Sequence, residues 1–377
     1  MRIGIDYTLA VTETAGIARH IREIVASLLE IDHENEYILV VASDAQGDII
    51  NTLSRKVEVH KLPFSNKTAR KLWHQFGLPF PLEFLTTQFD VFHSPDFLLP
   101  PLRKAQGIVT IHDLAHILYP QYTDPRIVKY FTKAVNRSLE RAKKVVAVSE
   151  STKKDIVKLL GVDADKIDVV YNAVDEMFVP IKDKKQLSVV KDKYKIDHPF
   201  ILSIGSIQPR KNLQRLIEAY GIIHQDKEIN HQLLLIGGAQ WLAGDLKKKI
   251  EKLGLQDDVR FLGFVPDEDL PHLITLADVF SFPSLYEGFG IPPLEALACG
   301  TPVVSSNAPA MPEVLGDAAI LVDPMNINAL AEALKRSLLD KELRSKLVKK
   351  GLKRSKIFTW ENAAKKQLEV YQKAGQS

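Results

Sequence analysis

Short apolar runs alternate with amphipathic segments along the whole chain, and this alternation limits the fold more than any other feature. Strand-sized apolar runs separated by helical patterns are the mark of a parallel sheet with helices on both faces. In the first half the runs fall at 2–6, 37–42, 57–61, 91–94, 108–112, 144–149 and 167–171. Between the first two, Ile17, Ile21, Ile24, Val25 and Leu28 recur at helical spacing, so a helix is expected there. The rhythm then restarts. Strands are expected at 200–205, 232–237, 259–262, 279–283, 301–305 and 319–322.

A chain of 377 residues exceeds what one core comfortably holds, which points to two domains. The rhythm breaks over 176–197, where Pro180 precedes a stretch rich in Lys and Asp. We place the domains at 1–177 and 178–359, with a last helix over 360–377 able to pack back on the first. Two such α/β domains leave loops beyond the carboxyl ends of their strands, where open parallel sheets bind ligands. The net charge of +3 is too small to argue for a nucleic-acid partner. A lone cysteine excludes an intramolecular disulfide and fits a reducing, cytoplasmic setting. The opening residues lack an apolar core of signal-peptide length, and no run approaches the roughly 20 residues that span a bilayer.

The densest chemistry lies in the string from Glu287 to Pro302, Glu-Gly-Phe-Gly-Ile-Pro-Pro-Leu-Glu-Ala-Leu-Ala-Cys-Gly-Thr-Pro. A strand enters a glycine-flanked loop, and the prolyl pair suits a first helical turn, where no N–H is needed. Phe289, Gly290 and Ile291 then present backbone N–H groups at a helix start, which attracts anions such as phosphate, and Gly288 before them is a further candidate for donor binding. Glu287 precedes that helix and Glu295 lies inside it, so their tasks differ: one can reach an outer sugar, the other a ribose. The plain alternative is a loop acid plus an acid favoured by the helix dipole. A second string, Ser203 to Leu213, follows the first strand of the second half and contains Ser206, Arg210 and Lys211. Adjacent Arg and Lys at a strand–helix junction suit a diphosphate, although exposed basic pairs are usually just solvated.

Two weaker signals lie in the first half. In Thr14-Ala15-Gly16-Ile17 a glycine stands where loop becomes helix, allowing close backbone approach. His112 ends a strand in Val-Thr-Ile-His-Asp-Leu. Its spacing to His116 lacks the Glu of a zinc-binding helix, and no metal site is expected. The Asp-x-Asp pairs at 163–165 and 267–269 read as a strand-entry turn and a helix start. The dinucleotide fingerprint G-x-G-x-x-G is absent, which argues against such a cofactor. Finally, residues 66–80 mix Lys67, Arg70 and Lys71 with Trp73, Phe76 and Phe80. They form either a weak peripheral membrane contact or a helix with its aromatics turned inward.

At these residues the chain resembles the retaining glycosyltransferases of family 4, including its mannosyltransferase-like branch of cell-surface polysaccharide synthesis. The resemblance rests on the Glu-x7-Glu string at 287–295, Pro-Arg-Lys-Asn at 209–212, Gly-Phe-Val-Pro at 263–266, Ser149, and Tyr-Asn-Ala-Val-Asp at 171–175. It implies the GT-B fold, two Rossmann-like doubly wound domains facing across a cleft. It implies transfer of a hexose from GDP-mannose or a UDP-hexose to a glycan or lipid-linked acceptor, with no other cofactor. Glu287 would act at the transferred sugar and Glu295 at the ribose. Arg210 and Lys211 would neutralise the diphosphate with the Gly16 backbone and the helix start at Phe289 and Gly290. His112 would line the sugar pocket, and the Phe264–Val265 loop would meet the base. The chain departs from the family in having Ala15 and Ala173 where glycine is common. The alternative readings are a sugar epimerase or phosphorylase of the same fold, or a non-catalytic nucleotide-sugar sensor.

Overall fold

The computed structural model describes residues 1–13, 16–47, 57–238 and 243–376. The chain divides into two compact units, residues 1–173 with 360–377, and residues 174–359. Each is built on one parallel sheet.

The first unit's sheet has strands β1 (Arg2–Asp6), β2 (Glu36–Val41), β3 (Glu58–Lys61), β4 (Val91–Ser94), β5 (Gln106–Ile111), β6 (Lys144–Ala147) and β7 (Ile167–Val169). Their spatial order is β3-β2-β1-β4-β5-β6-β7. The second unit's sheet has β8 (Phe200–Ile204), β9 (Gln232–Ile236), β10 (Val259–Gly263), β11 (Val279–Phe282), β12 (Val303–Ser306) and β13 (Ala319–Val322), in the order β10-β9-β8-β11-β12-β13. Every pairing is parallel. The strands expected from the sequence are all present, with ends shifted by no more than two residues.

Burial explains the pattern. Central strands such as β4, β11 and β12 are buried at every position, as strands covered on both faces must be. The edge strand β3 is half-exposed and carries Glu58, His60 and Lys61. The helix Gly16–Ile31 turns Ile21, Ile24, Val25 and Leu28 onto the first sheet, as its spacing predicts.

The C-terminal helix, Trp360–Gly375, belongs to the first unit. It packs against Gly16–Ile31, and its Trp360, Ala364, Val370 and Tyr371 join the same core. Tyr371 is fully enclosed, and its hydroxyl meets His93 Nδ1 at 2.9 Å. Lys373 reaches Asp168 on β7 at 2.5 Å, but Asp168 also has Lys144 at 3.2 Å. Burial should therefore outweigh charge in holding this helix. Tyr371→Ala is expected to cost about 3–5 kcal/mol of stability, and Lys373→Ala less than about 1 kcal/mol. Urea unfolding of the two variants tests the ranking, and equal losses would reject it.

Candidate active site

Topology fixes where a ligand can enter each sheet. The chain leaves β1 and β4, and likewise β8 and β11, in opposite directions along the sheet. The crevice beyond the carboxyl ends of two such strands is the binding place of a doubly wound sheet. In the second unit this crevice is bounded by the loops after β8 and β11, which contain the two strings singled out by sequence.

After β8 the chain passes Gly205 and Ser206 and makes a 3-10 turn at Pro209–Lys211. It then enters the helix Leu213–Ile223 through Asn212, which takes a left-handed backbone (φ 59°). Asn tolerates that conformation better than most residues, because its short side chain bonds locally. Here the Asn212 amide donates to the carbonyl oxygens of Pro283 (3.0 Å) and Pro324 (2.7 Å), tying the loop after β8 to the loops after β11 and β13. The Leu285 N–H adds a bond to the Arg210 carbonyl at 2.8 Å. The close approach of β8 and β9 needs Gly237, whose Cβ would fall 2.0 Å from the Gly205 carbonyl oxygen.

These ties bring three charges together. Lys211 Nζ lies 2.7 Å from one oxygen of Glu287, and Arg210 Nη1 lies 3.0 Å from the other. Arg210 also donates to the Tyr286 carbonyl at 2.6 Å, and Lys211 stands 4.9 Å above the Phe282 ring. All three charged groups are largely enclosed. Burial alone would raise the Glu287 pKa, but the charges of Lys211 and Arg210 outweigh it and hold the carboxyl below its ordinary value. Glu287 is thus an ionised carboxylate between two cations.

The loop after Glu287 turns through Gly290 at φ 93°. A Cβ there would sit 2.3 Å from the mobile Met311 methyl, but it is the positive φ that requires glycine. The helix Ile291–Ala298 follows with its prolines in the first turn. Glu295, one turn further in, is buried. Phe289 is buried against Phe358, so its backbone is what it can offer a ligand. The pair after β10 splits: Val265 packs into the core, whereas Phe264 is 75% exposed. Sequence reasoning placed Arg210, Lys211 and Glu287 in one site but overlooked Asn212, Phe282 and Tyr286. Asn212 was visible as the last residue of Pro-Arg-Lys-Asn, and the other two work through a ring face and a carbonyl.

In the first unit His112 follows β5 and is buried. Its Nε2 donates to the Pro95 carbonyl at 2.8 Å. The His20 ring meets it edge-on at 4.9 Å, and His93 Nε2 meets Thr110 Oγ1 at 2.8 Å. Burial drives His20 well below its ordinary pKa, lowers His112, and takes His93 to about 3. Beside them, beyond β4, Asp96 takes an ion pair from Arg70 at 3.1 Å. Burial and the charge of Asp6 nevertheless push its carboxyl up to about 8. Gly16 opens its helix with nothing within 4 Å of where a Cβ would stand. Thr14 and Ala15 lie outside the described residues.

The two Asp-x-Asp pairs have structural partners. Asp163 caps a 3-10 turn by accepting from the Asp165 N–H at 3.0 Å. Asp269 binds Lys193 and the Tyr194 hydroxyl, each at 2.5 Å. Among the described residues no group of three His, Cys, Asp or Glu is placed to hold a metal ion.

Comparison with known proteins agrees with this geometry. The model of glycosyl transferases group 1 matches residues 186–354, and that of glycosyltransferase family 4 matches residues 14–177. An O-antigen chain mannosyltransferase B of Escherichia coli is 35% identical over 282 residues, 74% of each chain. The chain belongs to glycosyltransferase family 4. Serotype-specific mannosyltransferase WbdA of Escherichia coli is 30% identical over 72% of this chain, a match spanning 34% of that longer protein. The fold is GT-B: HepE of Anabaena, solved with UDP and glucose, superposes with a TM-score of 0.77 over 99% of this chain and 100% of its own, at 19% identity. This family 4 member is a hexosyltransferase. No helix among its described residues is long and apolar enough to cross a membrane.

The histidine cluster gives the first unit a pH dependence. A buried neutral histidine stabilises fully above its unfolded value near 6.5, and that contribution falls as pH drops toward its lower folded value. His20, His74, His93, His112 and His116 all act this way. Asp6 and Asp96, raised in the fold, act in the opposite sense. Five against two make stability fall as pH drops below about 6.5, where the histidines of the unfolded chain take up protons first. Urea unfolding in a Trp241→Phe background, where Trp73 and Trp360 report the first unit, should show this slope. His93→Gln should flatten it, and a midpoint unchanged from pH 7 to 5 would reject the account.

Proposed function

We propose that this enzyme transfers a hexose, mannose first, from a nucleoside diphosphate sugar to a glycan or lipid-linked acceptor, with retention at the anomeric carbon. The observation that carries the donor assignment is Arg210 and Lys211 held together at the β8/β11 crevice. Two enclosed cations beside a helix start suit a diphosphate leaving group. Mannose is favoured because O-antigen chain mannosyltransferase B and WbdA are mannosyltransferases by name, and GDP-mannose is the corresponding donor. HepE was solved with UDP, which keeps a UDP-hexose as the alternative. Both named relatives favour cell-surface polysaccharide as the product class.

In this reading the bond from the anomeric carbon to the diphosphate oxygen breaks, and its electrons leave with the nucleotide. Arg210, Lys211 and the N–H groups near Gly290 meet that charge and lower the barrier. The acceptor oxygen attacks from the same face, and its proton passes to the departing phosphate oxygen. Glu287 offers a carboxylate to the sugar hydroxyls and to the positive charge at the anomeric carbon. Glu295 binds the ribose, Phe264 and Val265 form the base-facing loop, and Ser206 and Gly288 complete the donor loops. His112, with Gly16 at the edge of the first sheet, lines the sugar and acceptor side.

A donor panel read by nucleotide release tests the assignment. GDP-mannose should give the highest turnover, and release without glycosylated product would indicate a binding protein instead. Arg210→Ala/Lys211→Ala should weaken nucleoside diphosphate binding at least about tenfold, each lost charged hydrogen bond counting for a decade or more. Glu287→Gln should abolish turnover without weakening nucleotide binding, because it leaves both cations in place. Glu295→Gln should weaken nucleotide binding first. The scheme is wrong if both glutamate variants lose nucleotide affinity equally.

The same cations make a divalent metal unnecessary, and we propose that transfer proceeds without one. Turnover should persist after exhaustive EDTA treatment. Loss in EDTA that magnesium or manganese restores would overturn this claim and the diphosphate assignment with it.

A further inference from the structure

Beyond β1 and β4 the first unit holds a cluster of charged side chains that the donor chemistry leaves unused. Asp6 ends β1, and the loop after β4 carries Asp96. Ile5 pairs with His93, so Asp6 and Ser94 come next to each other at the carboxyl ends of their strands, on one face of the sheet. Arg70 arrives from the π-helical turn Arg70–Gln75, whose course is fixed by Trp73 buried against Phe64. Its Nη2 donates to Asp96 Oδ2 at 3.1 Å. Its charge also acts on Tyr130 of the helix Pro125–Arg141. The cluster borders His112, because Asp96 stands between Pro95, which accepts from the His112 ring, and Phe97, whose ring lies 5.7 Å from it.

Three observations show that the fold does not exhaust this cluster. Asp6 and Arg70 are only partly buried, so solvent reaches it. Arg70 uses one nitrogen on Asp96, and its other donors have no partner among the described residues. The Ser94 hydroxyl is fully buried beside Asp6 and likewise has no partner among the described residues. A buried polar group is rarely left so unless something outside the chain satisfies it. Charge then says what kind of ligand fits. Two carboxyls against one guanidinium do not attract a phosphate. Burial and the charge of Asp6 also favour the protonated form of Asp96, which suits an uncharged ligand. A pair of neighbouring hydroxyls can donate to carboxyl oxygens and accept from guanidinium N–H groups at once.

We propose that Asp6, Asp96 and Arg70 bind adjacent hydroxyls of a sugar on the acceptor, so that this crevice receives the neutral sugar end of the acceptor and not a phosphate. The proposal rests on the glycosyl-transfer reading and adds to it the class of group that the first unit takes. Carboxyl and guanidinium together demand both a donor and an acceptor from the ligand, which orients the sugar as well as holding it. The binding itself does not depend on which donor the second unit uses.

Saturation-transfer NMR titrations with the methyl glycosides of mannose, glucose, galactose and N-acetylglucosamine, run without donor, test this. At least one glycoside should bind wild type. Asp96→Ala and Arg70→Gln should each weaken that binding at least about tenfold, as expected for a lost hydrogen bond to a charged group, while nucleoside diphosphate affinity stays unchanged. Arg70 is partly in solvent, so Arg70→Gln should keep the wild-type thermal midpoint and decides the matter even where Asp96→Ala folds poorly. Glu287→Gln should bind the glycoside as wild type does, since only a sugar lodged in the donor site would need that carboxylate. Inorganic phosphate should not displace the glycoside. The proposal fails where no glycoside binds, where Arg70→Gln binds it like wild type, where Glu287→Gln loses it, or where phosphate competes. Wild type that binds a glycoside through Arg70 but binds no nucleoside diphosphate would instead overturn the donor assignment and leave this site standing.

Discussion

A parallel sheet covered on both faces leaves its charges almost nowhere to go except the strand ends. The central strands here are buried along their length and carry only uncharged residues, and an ionised group among them would lose its hydration without return. The polar residues therefore gather where β1, β4 and β5 end in one unit and where β8 and β11 end in the other. Chain reversal at those points opens a crevice, so one burial constraint produces both the core and the place where chemistry can occur.

The charge triad of Arg210, Lys211 and Glu287 shows how such a crevice is used. Enclosing three ions is costly, and a buried ion pair is poor evidence of added stability. Its value lies in preorganisation. Asn212 and the Leu285 N–H fix the loop, so the cations keep their positions whatever anion faces them. A diphosphate arriving there would meet cations already stripped of most water. It would share them with Glu287, and the carboxylate would be turned toward the sugar.

The strands were legible because buried parallel strands are written as continuous apolar runs, and their ends could shift by only a residue or two before charge entered the core. Helix Gly16–Ile31 was legible through the spacing of Ile21, Ile24 and Leu28. The pairing of Arg210 and Lys211 with Glu287 was legible as a shared place at strand ends, whereas their direct contact was not, because it depends on two loops folding toward each other. Asn212, Tyr286 and Phe282 escaped notice because their roles come from backbone conformation, a carbonyl and a ring face. The Asp96–Arg70 pair escaped for a related reason. It joins residues far apart in sequence, and only the adjacency of β1 and β4 brings Asp6 near Asp96.

The two crevices differ in charge, and the difference matches the two halves of the proposed reaction. In the second unit Glu287 stays ionised between cations because it must share space with an anionic leaving group. In the first unit burial keeps His20, His93 and His112 neutral and favours the protonated form of Asp96. An acceptor hydroxyl enters uncharged and gives up its proton only as the new bond forms. In the proposed reaction His112 would face that hydroxyl as a neutral ring, while His93 spends both its nitrogens on Tyr371 and Thr110. A cationic lining at His112 would also attract free phosphate, which the neutral state avoids. The lowered pKa values of these histidines are the physical consequence of their burial, which leaves them uncharged at neutral pH.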